Sequence, residues 1–517
     1  MQKEVVILST AINSMGLFGL DTYSVGIEVF VSKGMPAFDI VGLPDAAIKE
    51  SRNRVTAVVK KCGFNFPSGK ITVNLSPADK KKTGPIYDLP ILLAILNETE
   101  QLNINEPSAA FLGELSLFGE VRPVSGVLPM TIYAKKQGYK KIYVPHENAS
   151  EGGLVDGIDV IGIKHFNDLV GILRGHITPT PTKTPFTINP DFEHIGDYSD
   201  VKGQDLALRA IEIAASGGHN MLFIGPPGSG KSMMAKRIPT ILPPLDFDEA
   251  IDTTNIYSIA GLLSKNTPVI TNRPFRSPHN SVSTAALAGG GAIPKPGEIS
   301  LAHNGVLFLD EFTEFTRDAR EALRQPLEDN KITIPRAAGT LTFPCSIMLI
   351  AAMNPCACGY LSDPKKYCRC TNGQISNYLN RISGPLLDRI DIQVDIQPVE
   401  YEALEEKKGT RSSAEMRERI IKSREIQKER YKGTGIACNS RITPGLMDKS
   451  CPMTDNAKKI IKDAFSRLNM SARAYDRVLK TARSIADLEG AEVIDMQHIA
   501  ESIQYRGLDR KYWEEEN

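Results

Sequence analysis

The chain has 517 residues, 41% of them hydrophobic and 24% charged, with Lys plus Arg equal to Asp plus Glu at 61 each. That balance excludes a predominantly disordered chain and a global basic field, so any nucleic-acid contact must come from a local patch. No segment approaches the ~18 consecutive apolar residues of a membrane span.

The opening run MQKEVVILSTAINSMG has no basic region ahead of its apolar residues and no small-residue cleavage site, so the expected location is the cytoplasm. Thiols there stay reduced, so clustered cysteines point to metal. Isolated Cys62, Cys345, Cys438 and Cys451 read as small buried apolar residues.

In chain order, VGIEVFV (Val25 to Val31), KITVNL (Lys70 to Leu75) and KIYVP (Lys141 to Pro145) read as strands. AAIKESRNRVTAVVKKCG and LPILLAIL carry helical spacing, and the alternation predicts a mixed α/β or α+β domain over 1–175. Lys80 to Lys82 form either a solvated turn or a basic patch for DNA or a partner. HITPTPTKTPF, His176 to Phe186, alternates Pro and Thr and cannot join a core, which predicts a linker over 176–190.

The next domain is expected over 191–398, with MLFI, VLFL and SIMLIAAM as strands of a parallel sheet covered by helices, an α/β fold. Met221 to Ser232 reads MLFIGPPGSGKS, a strand followed by Gly225, Pro226, Pro227, Gly228, Ser229, Gly230, Lys231 and Ser232. This is a P-loop. Its backbone N–H groups turn around phosphate, Lys231 reaches the β and γ phosphates, and the Ser232 hydroxyl ligates Mg²⁺, which makes ATP the expected ligand.

Gly305 to Glu311, GVLFLDE, is a buried strand ending in two carboxylates. In a P-loop enzyme Asp310 holds the Mg²⁺ shell and Glu311 polarises the attacking water, although an acidic turn after a core strand is common by itself. LEDNKITIPRAAGTLTF predicts a hairpin of Lys331 to Pro335 with Thr340 to Phe343. SIMLIAAM ends at Asn354, whose amide can position the same water.

Cys356, Cys358, Cys368 and Cys370 follow directly, as two CxC pairs around a polar, turn-rich interior. Four thiolates suit one structural zinc with no position left for water; a buried or redox-active thiol cluster is the alternative. Metal would order this coreless loop and present Lys365, Lys366 and Arg369 at its tip.

Arg389 and Arg473 are candidates to stabilise charge on the γ phosphate, one of them from an adjacent subunit, or else ordinary surface ion-pair partners. From about residue 399 to 517 the pattern is helical, with Ser412 and Glu415 as a capping box and Thr454 and Asp495 as N-caps.

Together these residues resemble the AAA+ ATPases. The runs RPFRSPHNSVSTAALAGGG, PKPGEISLAHNGVLFLDEFTEF, EALRQPLEDNKITIPRAAGT, AAMNPCACGY and SGPLLDRIDIQV are similar to the Mg-chelatase-like ComM family, also called YifB, over nearly the whole chain. The resemblance implies a ring-forming, hexameric ATPase with nucleotide between subunits and a helical lid over 399–517. It makes Gly225 to Ser232 the Walker A loop, Asp310 and Glu311 Walker B, Asn354 sensor 1, Arg389 the arginine finger, Arg473 sensor 2, and Arg381 a less favoured finger.

It also implies a DNA motor with helicase or branch-migration activity in homologous recombination and natural transformation, with recombination proteins as further partners. The hairpin resembles the presensor hairpin of ring helicases, which nominates Lys331 and Arg336 for DNA phosphates. The glycine-rich run after Arg273 reads as a flexible pore loop presenting Arg273, Arg276 and Lys295.

Asn280 stands where the family usually has a second His, and Ala357 where it usually has Pro; neither is expected to touch the ATP chemistry. LSPADKKKTGPIYDLPILLAIL and GELSLFGEVRPVSGVLPMTIYAKKQGYKKIYVP resemble the Lon-type protease domain. Ile86 and Leu128 occupy the positions of its Ser and Lys, so the domain is expected to be non-proteolytic. Two rivals to the DNA motor remain: a metal-insertion chaperone like the magnesium chelatase ATPase subunit, and a scaffold that ATP merely switches.

Overall fold

The computed structural model describes residues 11–188, 192, 194–264, 267–291, 295–336, 339–361, 363–364, 366–400 and 411–513, the side chains of 336, 339, 509 and 510 excepted. Two compact units emerge: residues 1–187 with 247–270 and 335–342, and the remainder.

In the first unit β1 (Ile12–Phe18), β2 (Asp21–Ser32), β3 (Ala37–Val41) and β4 (Lys70–Ser76) form a mixed sheet in the order β1-β2-β4-β3. Period-two alternation buries Tyr23, Val25 and Ile27 of β2 and Ile71, Val73 and Leu75 of β4 on one face. Helix α1 (Ala46–Lys61) starts at Asp45, whose carboxylate accepts from the Ile48 amide at 2.9 Å, and buries Ile48, Ser51, Val55, Val58 and Val59 at helical spacing.

Helix α2 (Asp88–Glu98) is apolar all round, and Leu89 to Leu96 are buried throughout. At its start the buried Asp88 carboxylate accepts from Ser51, from Arg54 at 2.5 and 3.0 Å, and from the Leu115 amide at 3.1 Å. A second sheet pairs β5 (Ala109–Phe111), β6 (Lys141–Pro145) and β7 (Asp159–Ile163) in parallel.

Two segments from later in the chain belong to this unit. The helix Phe247–Ala260 packs on the helix Val127–Lys136, and the Gly126 amide donates to the Ser258 carbonyl at 3.0 Å. The outer part of the predicted hairpin also belongs here, where a Cβ on Gly19 would lie 2.6 Å from Leu341 Cδ2.

The second unit is built on five parallel strands: β8 (Met221–Ile224), β9 (Phe275–Arg276), β10 (Val306–Leu309), β13 (Met348–Met353) and β14 (Ile392–Asp395), in the order β9-β10-β13-β8-β14. The hairpin strands β11 (Lys331–Arg336) and β12 (Gly339–Pro344) lie between β10 and β13 in sequence. Strands β8, β10 and β13 are buried along their whole length, as expected of a sheet covered on both faces.

The C-terminal region is helical. Ser412 and Glu415 make the predicted capping box of the helix Ser413–Arg430, and Thr454 and Asp495 cap Asp455–Arg467 and Met496–Gln504. Its core encloses the buried Asp487 carboxylate, which accepts from Arg430 at 2.6 Å, Arg483 at 3.1 Å and Asn439 at 2.8 Å. Among the described residues no helix is long and apolar enough to cross a membrane.

Candidate functional site

Parallel pairing puts the ends of β8, β10 and β13 side by side, and the predicted phosphate residues lie on the turns that leave them. After Ile224 the chain turns under close confinement: a Cβ on Gly225 would lie 2.3 Å from the Ile396 carbonyl oxygen, so only glycine fits. Gly228 and Gly230 take positive φ of 81° and 89°, which shape the loop ahead of the helix Lys231–Arg237.

Lys231 Nζ donates to the carbonyls of Gly225 and Pro226 at 2.7 and 2.8 Å, and Asn354 Oδ1 lies 3.4 Å away. Burial lowers its pKa to about 8, against the pull of Asp310. The Ser232 hydroxyl donates to Asp310 Oδ2 at 2.5 Å, so a hydroxyl and a carboxylate suited to one hard cation are adjacent.

Glu311 adopts the left-handed region at φ 50°, uncommon for a residue with a side chain. Its Oε2 accepts from Asn280 Nδ2 at 2.8 Å. Asn280 was expected to be indifferent to this chemistry; instead it grips one of the two carboxylates. The only sequence signal was its position four residues after a two-residue strand that is too short to recognise.

Arg389 and Arg473 are not gathered at this loop. Arg389 pairs with Glu328 and donates to the Pro385 carbonyl at 2.6 Å, and Arg473 is exposed within the electrostatic reach of the same Glu328. Arg381 pairs with Glu314 at 2.8 Å. The three arginines therefore face carboxylates of their own chain.

The four cysteines do converge. Cys356, Cys358 and Cys368 have Sγ separations of 3.4, 3.7 and 3.6 Å, and all four sulfurs lie within 4.8 Å of one another. Four sulfurs around one ion at Zn–S distances of about 2.3 Å would stand about 3.8 Å apart, so the donor set fits a tetrahedral thiophilic metal. Although desolvation works against it, hydrogen bonds from the Arg369 and Tyr360 backbones and neighbouring thiols hold the Cys358 thiol down at about 6. Cys345, Cys438 and Cys451 are buried and Cys62 is half-buried, away from this group.

Of the residues expected to meet DNA, Lys331 is exposed and the Arg336 side chain lies outside the described residues, as does Lys365. The hairpin is not a solvated projection, because Ile332, Ile334, Leu341 and Phe343 are buried. The pore-loop expectation for Arg273 and Arg276 is corrected. Arg273 donates to the carbonyls of Pro243 and Asn304 at 2.6 and 2.8 Å, and Arg276 pairs with Glu298 at 2.6 Å, so both hold the segment inward. Of Lys80 to Lys82, Lys80 and Lys81 are exposed, with Lys80 over the Tyr23 ring at 4.6 Å, while Lys82 is buried with its amine on the Pro77 carbonyl. Ile86 and Leu128 are buried aliphatic side chains.

Three family models cover most of the chain. "Magnesium chelatase, subunit ChlI" matches residues 197–404, "Subunit ChlI of Mg-chelatase" 27–148, and "Magnesium chelatase, subunit ChlI C-terminal" 410–506. Competence protein ComM of Haemophilus influenzae is 40% identical over 504 residues, covering 96% of this chain and 97% of its own. The chain belongs to the Mg-chelatase-like ComM/YifB family of AAA+ ATPases.

Another relative at this level is protein YifB of Salmonella typhimurium, 41% identical over 505 residues, with 96% and 97% covered. Lon protease 2 of Bacillus subtilis is 28% identical over 148 residues, 28% of this chain and 26% of that protein, so the N-terminal likeness is partial. Membership in the AAA+ family implies ATP hydrolysis with Mg²⁺, and proteins of this family are typically oligomeric.

The thiol geometry makes a direct prediction. Purified chain is expected to carry about one tetrahedral divalent metal per protomer by elemental analysis, and Cys358→Ser with Cys368→Ser to carry none. Less than about half an equivalent in the unaltered protein would contradict the site.

Proposed function

We propose that the chain is an Mg²⁺-dependent AAA+ motor that assembles as a ring, hydrolyses ATP between protomers and moves on single-stranded or branched DNA. In this role it would carry out helicase or branch-migration steps of recombination. The observation that carries the hydrolytic part is the convergence of Lys231, Ser232, Asp310 and Asn354 within hydrogen-bonding distance at the ends of three parallel strands.

In this reading the loop Gly225 to Ser232 cradles the phosphates, Lys231 neutralises the terminal ones, and Ser232 with Asp310 holds Mg²⁺. Glu311 orients the attacking water, Asn280 restrains Glu311, and Asn354 completes the water site. Arg389 would act as the finger on a neighbour's nucleotide and Arg473 as sensor 2; the pairing of Arg389 with Glu328, away from its own P-loop, supports the first of these roles. Cys356, Cys358, Cys368 and Cys370 would hold a structural Zn²⁺ with every position filled by thiolate. The N-terminal domain has buried Ile86 and Leu128 where a Ser-Lys dyad would stand, so it serves a non-proteolytic role.

Likeness to a competence protein over 96% of the chain supports the DNA assignment. The magnesium chelatase descriptions of the matching models favour a second reading, a metal-insertion ATPase. Turnover with and without single-stranded DNA separates them: the motor predicts stimulation, and a rate indifferent to DNA contradicts it. Glu311→Gln is expected to keep Mg–ATP binding and lose at least about 100-fold in turnover.

The lowered Lys231 pKa adds a pH signature. The ammonium attracts phosphate and the neutral amine does not, so affinity is expected to be level up to about pH 7.5 and to fall about tenfold per unit above ~8. Equilibrium titrations with a fluorescent ATP analogue measure this, and affinity that stays level to about pH 10 would exclude Lys231 from the contact.

A further inference from the structure

We propose that Tyr378 is a positioning residue of the phosphate site, and that the four-cysteine cluster fixes it there by tying together the two chain segments that frame that site. The inference rests on the ATPase reading above and assigns that site a dependence on metal.

The cluster lies between two arms. Upstream, Cys356 stands two residues past Asn354, and its carbonyl accepts from the Gly359 amide at 3.0 Å. Gly359 has φ 85°, and a Cβ there would lie 2.8 and 3.0 Å from Cδ and Cγ of Pro227, so this arm is packed directly on the P-loop.

Downstream, Thr371 follows Cys370 and caps the helix Asn372–Leu379: its hydroxyl accepts from the Gln374 amide at 3.3 Å, and the Gln374 side chain accepts from the Thr371 amide at 3.0 Å. This helix carries Tyr378, which is 6% exposed. The Tyr378 phenol accepts from Thr313 Oγ1 at 2.7 Å, and the Asn354 backbone lies near enough to the same hydroxyl to favour its ionised form, although burial outweighs it.

Thr313 lies in the turn Phe312–Glu314 that begins at Glu311, and Arg320 donates to its carbonyl at 2.8 Å. One buried hydroxyl thus joins the exit of β13, which bears Asn354, to the turn that bears Glu311. Arg381 reinforces the junction, with its guanidinium over the Tyr378 ring at 5.5 Å and its ion pair to Glu314.

Among the described residues between the arms, the large apolar side chains are not buried, with Leu361 38% exposed. Tyr367, the one aromatic residue between Cys358 and Cys368 besides Tyr360, is 96% exposed. A cross-link among the four thiols is what would hold both arms at once.

The test uses the full chain in its metal-loaded and chelator-stripped forms, together with Tyr378→Phe. Tyr378→Phe is expected to keep its metal content and its affinity for a fluorescent ATP analogue within about twofold, while kcat falls about fivefold, as for one lost buried hydrogen bond. Stripping the metal is expected to speed amide hydrogen exchange at residues 311–315 and 354–359, and adding Zn²⁺ back to restore protection.

Unchanged kcat in Tyr378→Phe together with unchanged exchange after stripping would overturn the proposal. Should the unaltered chain show no turnover, the ATPase reading itself falls, and the exchange measurement still decides whether the cluster holds the two arms.

Discussion

Three buried strands that run in parallel, Met221–Ile224, Val306–Leu309 and Met348–Met353, impose the constraint on which the rest of the molecule depends. In a parallel sheet every strand ends on the same edge, so the turns that leave these three must converge. Lys231, Ser232, Asp310, Glu311 and Asn354 are near one another for that reason alone, although more than 120 positions separate the first from the last. The apolar strand residues make the sheet; Asp310, Glu311 and Asn354, one or two steps beyond their strands, and Lys231 and Ser232, at the end of the glycine-rich turn, make the site.

Much of this was legible because it is written in short local patterns. An apolar strand followed by a glycine-rich loop and Lys-Ser specifies both the turn and its chemistry, and Gly225 shows the reason: the Ile396 carbonyl leaves no room for a side chain. The capping boxes at Ser412 and Asp495 are equally local. The N-terminal strands Asp21–Ser32 and Lys70–Ser76 could be read from alternation because only one face of their sheet is buried.

What was not legible depends on residues far apart in the chain. Phe275–Arg276 is too short to carry a period, so neither the outer strand nor the placement of Asn280 beside Glu311 could be foreseen. Lys80 to Lys82 looked like three solvated lysines, but Lys82 is buried on a backbone carbonyl. Arg273 and Arg276 have the composition of a ligand-facing loop and instead hold carbonyls and Glu298. The hairpin's basic residues were visible, but not the apolar face that Leu341 and Phe343 bury. Charge in a sequence shows what a side chain can bind; only the fold shows whether a partner within the chain has already taken it.

Every role proposed for these residues requires that Mg–ATP occupy the turn between Met221–Ile224 and the helix Lys231–Arg237. Equilibrium binding of a labelled ATP analogue to the purified chain, with Mg²⁺ and beside Lys231→Ala, tests this most directly. Saturable binding that Lys231→Ala weakens by about 100-fold is the predicted result, consistent with losing a buried charge-assisted contact. Equal affinity in the two proteins, or no binding by the unaltered chain, would contradict it.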